Sequence, residues 1–336
     1  MSSKEEGLKT STMRGAGWWR AVVALACAFC SAMAAGQMPP AVNSVSNAQR
    51  LSQSIADNHG VLTSADKTCL FYRYWPADKN ASPERVVVVL HGIGYYSGPY
   101  KVIADALNPQ GIQVYALDAR AHGFSCGRRG YLGTPGQAAD DVSTIVDFVK
   151  HEWPGAKIYL LGESMGGAFA LNYVRNNSDQ ISGLILLAPA IGVNKHQLLK
   201  IGNFGLLPYL LFAHRTPAIS LVGKRLEESS PDPQFIAERR ADPLAYKKVS
   251  FGYLWDIKDL VKNWKTEIAP KLNVPTVIVQ GGKDVIVSRK DCELLARTKG
   301  TSDRQYKVFP ETRHTTLWDP DTPAILRFVT QWILEH

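Results

Sequence analysis

Five stretches of the chain are apolar without interruption rather than in alternation. They are "RVVVVLHGIG" (Arg85–Gly94), "IQVYALDA" (Ile112–Ala119), "KIYLLGESMGGAFALNYV" (Lys157–Val174), "ISGLILLAPA" (Ile181–Ala190) and "PTVIVQGGKD" (Pro275–Asp284). Short β-branched runs that end in Gly, Asp or Pro read as strands buried on both faces, the pattern of a parallel sheet. Helical spacing falls between them, at "YKVIADAL" (Tyr100–Leu107), over about Gln137–His151 and over roughly Pro323–Leu334. "CLFYRYWPA" (Cys69–Ala77) and "QYKVFPE" (Gln305–Glu311) read as further strands. Strands alternating with helices predict a mostly parallel sheet with helices on both faces.

Two regions break the alternation. Residues 37–65 are rich in Ser, Asn and Gln and read as a linker or surface arm. Ile191 to about Ser250 shows no clear strand; it holds "LLKIGNFGLLPYLLFA" followed by a charged half, and it predicts a helical cap inserted after the sixth strand. At the N-terminus, Lys9, Arg14 and Arg20 precede the uncharged run Ala21–Gly36, which is short for a spanning helix and closes on "SAMAAGQ". That is the pattern of a signal peptide cleaved after Ala34 or nearby, which predicts an exported protein; an uncleaved N-terminal membrane anchor is the alternative. The expected organisation is therefore a signal peptide over 1–34, an arm over 35–66, a core over 67–190, a cap over 191–250 and the rest of the core over 251–336.

Composition narrows the classes. Of 336 residues, 45% are apolar and 20% charged, enough to bury a core. The formal net charge is +8; four Lys/Arg and two Asp/Glu leave with the leader, so +6 remains. The basic residues are scattered, which argues against nucleic acid. Cys69, Cys126 and Cys292 remain after the leader, and with an odd count one bridge is possible without the sequence placing it. After the leader, which carries Cys27 and Cys30, neither H-E-x-x-H nor C-x-x-C is present, so no metal is expected.

The chemistry centres on Gly162-Glu163-Ser164-Met165-Gly166. A serine in G-x-S-x-G between a strand and a helix sits on a tight turn that exposes its hydroxyl at a helix N-terminus, where the next amide can meet an oxyanion. A serine needs a base. His314, in "PETRHTTL" after a strand and before the last helix, is placed to be one, and Asp284, closing "VIVQGGKD", is placed to orient it. The second oxyanion amide should come from the loop after "VVVVLHGIG", at Ile93; His91 and His122 read as structural.

With these residues in hand the chain resembles an α/β-hydrolase of the monoacylglycerol lipase and lysophospholipase-like branch, the serine aminopeptidase-like hydrolases. "HGIG", "DARAHGFSCGRRGY", "GESMGG", "DPLAY", "GGKDVIV" and "RHTTL" carry the resemblance in order, over roughly Cys69 to the C-terminus. It implies an α/β-hydrolase fold, with Ser164 as nucleophile, Asp284 as acid, His314 as base, the Ile93 and Met165 amides as oxyanion hole, and no metal or organic cofactor. Many members carry His before the nucleophile; here Glu163 stands there, as in others. The expected activity is serine carboxylester hydrolysis of a single-acyl-chain lipid ester, a monoacylglycerol or lysophospholipid. A small-ester esterase or peptidase on the same triad, and a non-catalytic binding protein of the same fold, are the alternatives. In the cap, Leu206, Leu207, Leu210 and Phe212 belong to a dense apolar run that suits an acyl tunnel, transient contact with a membrane surface, or packing of the cap on the core.

Overall fold

The computed structural model describes residues 42–46, 49, 56–77, 82–194, 214–298 and 303–336. Strand β3 (Arg85–Leu90) shows how the core is divided. Val86, Val88 and Leu90 pack into one apolar cluster, whereas Val87 and Val89 pack into another. Successive side chains of a strand point to opposite faces, so an unbroken valine run fills two layers at once. The same division holds in β4 (Ile112–Leu117), β5 (Lys157–Glu163), β6 (Gly183–Leu187) and β9 (Thr276–Gly281).

The sheet has eight strands in the order β1-β2-β4-β3-β5-β6-β9-β10, where β1 is Asn58–Thr63, β2 Cys69–Trp75 and β10 Arg304–Phe309. β1 and β2, and β2 and β4, pair antiparallel; every other pair is parallel. Helices α1 (Lys101–Leu107) and α8 (Thr322–Glu335) cover one face through Ile103, Leu107, Val329 and Trp332. The other face is covered by α2 (Pro135–Glu152), α3 (Met165–Asn177), α6 (Phe251–Leu260) and α7 (Arg289–Arg297). Strand order reverses at β3 and β5. In an open parallel sheet, the crevice beyond the strand ends at that point is where sites form.

Two expectations need correction. The arm expected over 35–66 contains β1, an edge strand paired with β2 in register Asn58↔Tyr74 to Thr63↔Cys69. Its sequence, NHGVLT, carries Gly and polar residues because an edge strand buries little and needs no apolar run. The segment between β6 and α6 is not free of strands. Besides α4 (Lys224–Ser229) and α5 (Pro233–Ala241), it holds the antiparallel pair β7 (Ile219–Ser220) and β8 (Lys248–Val249). Two residues are too few to show a period of two. The leader and the cap run 195–213 lie outside the described residues.

Cys69, at the start of β2, is bonded to Cys126 in the loop after β4, and Val42 packs on the pair. The bond spans 57 positions of chain. Closing a loop of that size removes conformational freedom from the unfolded chain worth up to about 4 kcal/mol. Replacing Cys69 and Cys126 together by Ser should lower the urea midpoint by an amount corresponding to about 2–4 kcal/mol. An unchanged midpoint would show that the bond contributes nothing to stability.

Candidate active site

β5 runs into α3 through a single residue. Ser164 takes φ 50° and ψ −109°, a conformation that costs a non-glycine residue about 1–3 kcal/mol. Hydrogen bonds hold it there. The Ser164 N–H donates to the Leu187 carbonyl at 2.9 Å, and the Ser164 carbonyl accepts from the Ala190 N–H at 2.9 Å. The flanking glycines answer a packing demand. A Cβ on Gly162 would lie 2.6 Å from the Gly167 nitrogen, and one on Gly166 would overlap the Leu90 carbonyl. The start of α3 thus lies directly on the end of β3.

The parallel register carries three separated residues to this sheet edge. His314, after β10, places Nε2 2.9 Å from Ser164 Oγ. Its Nδ1 lies 2.8 Å from Asp284 Oδ2, after β9. All three are buried. The Asp284 carboxylate is itself held: Oδ1 accepts from the Ile286 N–H at 2.7 Å and the Val287 N–H at 3.0 Å, and Oδ2 from Gln280 Nε2 at 2.8 Å. The acid and base loops are joined by the Lys283 N–H donating to the Thr312 carbonyl at 2.9 Å. The cap also reaches the base loop, since the Ser229 carbonyl accepts from the Thr315 N–H at 3.0 Å.

Burial alone would raise the Asp284 carboxyl, but the His314 charge and hydrogen bond and the two amides outweigh it and leave its pKa lowered. For His314, burial alone would lower the imidazole. The charge and hydrogen bond of Asp284, and then the charge of Glu163, outweigh it, and the pKa is raised. An ion-paired imidazole of this kind takes up a proton from a hydroxyl readily and is inactive as a base while it is protonated.

The loop after β3 is fixed from several sides. The Ala119 N–H donates to His91 Nε2 at 3.0 Å, and His91 Nδ1 donates to the Gly92 carbonyl at 2.9 Å. Accepting at one nitrogen and donating from the other, the ring is neutral, in keeping with its burial, which lowers its pKa. The Gly92 N–H donates to the Tyr100 hydroxyl at 2.6 Å, and that hydroxyl donates to Glu163. The Gly94 carbonyl accepts from the Tyr246 N–H at 2.9 Å and from Arg239 Nη2 at 3.0 Å, both in the cap. Ile93 sits between these two pins. Its loop adjoins the Met165–Gly166 turn, where a Gly166 Cβ would be 2.9 Å from the His91 carbonyl. His122 donates from Nδ1 to the Arg120 carbonyl at 2.9 Å and stacks on Tyr246, so it stabilises the neighbouring turn.

Ser164, Asp284 and His314 are thus brought together, and Ile93 and Met165 stand on adjoining segments beside them. Leu206, Leu207, Leu210 and Phe212 lie outside the described residues. Sequence reasoning missed Gln280, Tyr100 and Arg239. Gln280 carried a signal, as a polar residue inside an otherwise buried apolar strand.

The family described as serine aminopeptidase, S33, matches residues 81–321. The chain belongs to this family. It is 29% identical over 273 residues to the monoacylglycerol lipase of Mycolicibacterium smegmatis, covering 80% of this chain and 93% of the relative. It is 30% identical over 282 residues to the monoglyceride lipase of Rattus norvegicus, covering 81% and 89%. The crystal structure of Paleococcus ferrophilus monoacylglycerol lipase superposes with a TM-score of 0.66 at 26% identity, covering 80% of this chain and 99% of that one. The fold is the α/β-hydrolase fold, and the enzyme class is carboxylic ester hydrolase.

The raised imidazole sets a pH dependence. Because His314 must be neutral to act as a base, labelling of Ser164 by a fluorophosphonate should rise with pH along a limb whose midpoint lies above the ordinary 6.5. In Asp284→Asn the limb should move to lower pH and the plateau rate should fall by on the order of 10³–10⁴. Rates measured across the neutral range decide it; an Asp284→Asn profile matching the parent would show that Asp284 does not act on the imidazole.

Proposed function

We propose that the protein hydrolyses single-acyl-chain lipid esters, of the monoacylglycerol or lysophospholipid kind, through an acyl-enzyme on Ser164. The observation that carries the reading is the unbroken relay from Asp284 through His314 to the Ser164 hydroxyl, set on a strained turn at the edge of the sheet. His314 takes the Ser164 proton as the hydroxyl oxygen attacks the ester carbonyl. The Ile93 and Met165 amides hold the negative oxygen, and Asp284 stabilises the imidazolium. His314 then protonates the departing alcohol. Water, activated by the same imidazole, cleaves the acyl-enzyme and restores the serine.

The lipid substrate is supported by the names of the full-length relatives and by the apolar run 198–212, set in a segment, Ile191–Ser250, with nine Lys/Arg and five Asp/Glu. An apolar, net basic cap suits a single acyl chain at an anionic interface, where transient contact with a membrane surface belongs to the same reading. Each buried methylene contributes about 0.8 kcal/mol, so kcat/KM should climb roughly several-fold for every two acyl carbons until the pocket is full. Ser164→Ala should lower hydrolysis by at least about a thousandfold and abolish fluorophosphonate labelling while the fold is kept. A p-nitrophenyl ester series peaking at acetate, with no turnover of monoacylglycerols or lysophospholipids, would leave a small-ester esterase instead.

Export belongs to the same proposal. It is supported by the uncharged run Ala21–Gly36 and by the Cys69–Cys126 bond, since such bonds persist in oxidising compartments. Intact-mass measurement of the protein recovered outside the cytoplasm is expected to give an N-terminus near Ala35. A full-length chain retained in the soluble cytoplasm would overturn it.

A further inference from the structure

Glu163 precedes Ser164 and ends β5, where it pairs opposite Leu187 of β6. Only 3% of it is exposed. One carboxyl oxygen accepts from the Tyr100 hydroxyl; the other, Oε1, is buried with no hydrogen-bond partner among the described residues. A buried carboxyl with half its valence unmet is costly where a residue only fills space. Apolar packing alone would be served better by a neutral side chain.

The contacts run in one direction. Tyr100 is fully buried, and burial first, then the charge of Glu163, push its hydroxyl far above the ordinary phenol range, so it keeps its proton. That proton goes to Glu163, and the Tyr100 oxygen receives the Gly92 N–H at 2.6 Å. Gly92 is pressed against both partners: a Cβ on it would lie 3.3 Å from Glu163 Oε2 and 3.3 Å from the Tyr100 oxygen. The next residue is Ile93, whose amide the mechanism uses.

Resting on the serine-hydrolase reading above, we infer that Glu163 is a positioning residue with two actions. Through Tyr100 it fixes the Gly92 amide, and with it the aim of the Ile93 N–H. Through its charge it acts on His314.

The groups facing it allow the second action. Tyr100 and Tyr95 come from the loop after β3 and the turn into α1, and His314 from the loop after β10. Trp318 stacks on Tyr95 and meets Tyr100 edge-on, each with centroids 5.4 Å apart. Arg239 from the cap lies over the Tyr95 ring at 4.2 Å, but its hydrogen bonds go to the Gly94 and Tyr246 carbonyls. His314, whose Nε2 lies 2.9 Å from the hydroxyl of Ser164, the residue next to Glu163, is the cation that acts on Glu163. Burial pushes the Glu163 carboxyl up to about 7, against the lowering effects of Tyr100 and His314. Ionised Glu163 in turn raises the imidazole. The two groups titrate as a pair, and the acid limb of the activity profile belongs to both.

The test compares parent, Glu163→Gln and Tyr100→Phe on a soluble p-nitrophenyl ester, with kcat and KM taken across pH and melting curves recorded alongside. Glu163→Gln keeps an acceptor for Tyr100 but removes the charge. Its acid limb should move to lower pH by about half a unit or more and fit a single group. Tyr100→Phe releases the Gly92 amide, so kcat should fall roughly ten- to a hundredfold with KM nearly unchanged. A Glu163→Gln profile superimposed on the parent overturns the action on His314. Unchanged kcat in Tyr100→Phe, or loss of kcat only in step with loss of fold, overturns the action on the loop. Should Glu163→Gln fail to fold, the parent decides: an acid limb that fits one group overturns the action on His314, and one that needs two supports it. A parent that neither hydrolyses the ester nor takes up a fluorophosphonate overturns the serine-hydrolase reading and this inference with it. An active parent whose variants do not shift overturns this inference alone.

Discussion

A serine at positive φ, buried between a strand and a helix, is the constraint around which this molecule is arranged. The conformation is unfavourable in isolation and persists because its surroundings leave no alternative. Leu187 and Ala190 hold the Ser164 peptide groups, and Gly162 and Gly166 let α3 lie against β5 and β3 with no side chain between. Those contacts require β5 to be central and flanked by β3 and β6, which is the sheet order observed. With β5 there, the ends of β3, β9 and β10 open on the same edge, and the loops that follow them can reach the hydroxyl.

Around that point the polar groups divide into the three of the proposed relay and those that hold them. Asp284 is held by two amides and Gln280, and the base loop by the carbonyl of Ser229 in the cap. His91 and His122, which by residue type could pass for second bases, have both ring nitrogens committed and lowered pKa values; burial is the largest cause in each. Burial lowers the imidazole in all three, and His314 has Asp284 to outweigh it, which separates His314 from the others.

Much of this was legible in the chain. β3, β5, β6 and β9 announce themselves because strands buried on both faces need unbroken apolar runs. Ser164 and Asp284 each follow such a run, and His314 follows β10, an edge strand of mixed polar and apolar residues, so strand ends pointed to all three. What escaped was whatever depends on partners far along the chain. Arg239 belongs to a charged stretch that reads as a solvated face, yet it is buried and bonded to a carbonyl 145 positions away. Tyr100 reads as one more apolar residue of a short helix, since only the fold brings it to Glu163, 63 positions on. The pairing of Cys69 with Cys126, and β1 at its exposed edge, escaped for the same reason: neither leaves a local pattern.

The Gly94 carbonyl is shared by two donors from the cap, and this makes cap and loop parts of one equilibrium. Thermodynamic coupling is reciprocal. Whatever free energy the seated cap contributes to the geometry of the loop, an occupant that favours that geometry returns to the seating of the cap by the same factor. A covalent phosphonate on Ser164, with its oxygen among the loop amides, would therefore make Arg239 and Tyr246 harder to pull away than in the free enzyme. A carbonyl bound at the loop amides would thus strengthen hydrogen bonds that it does not itself touch.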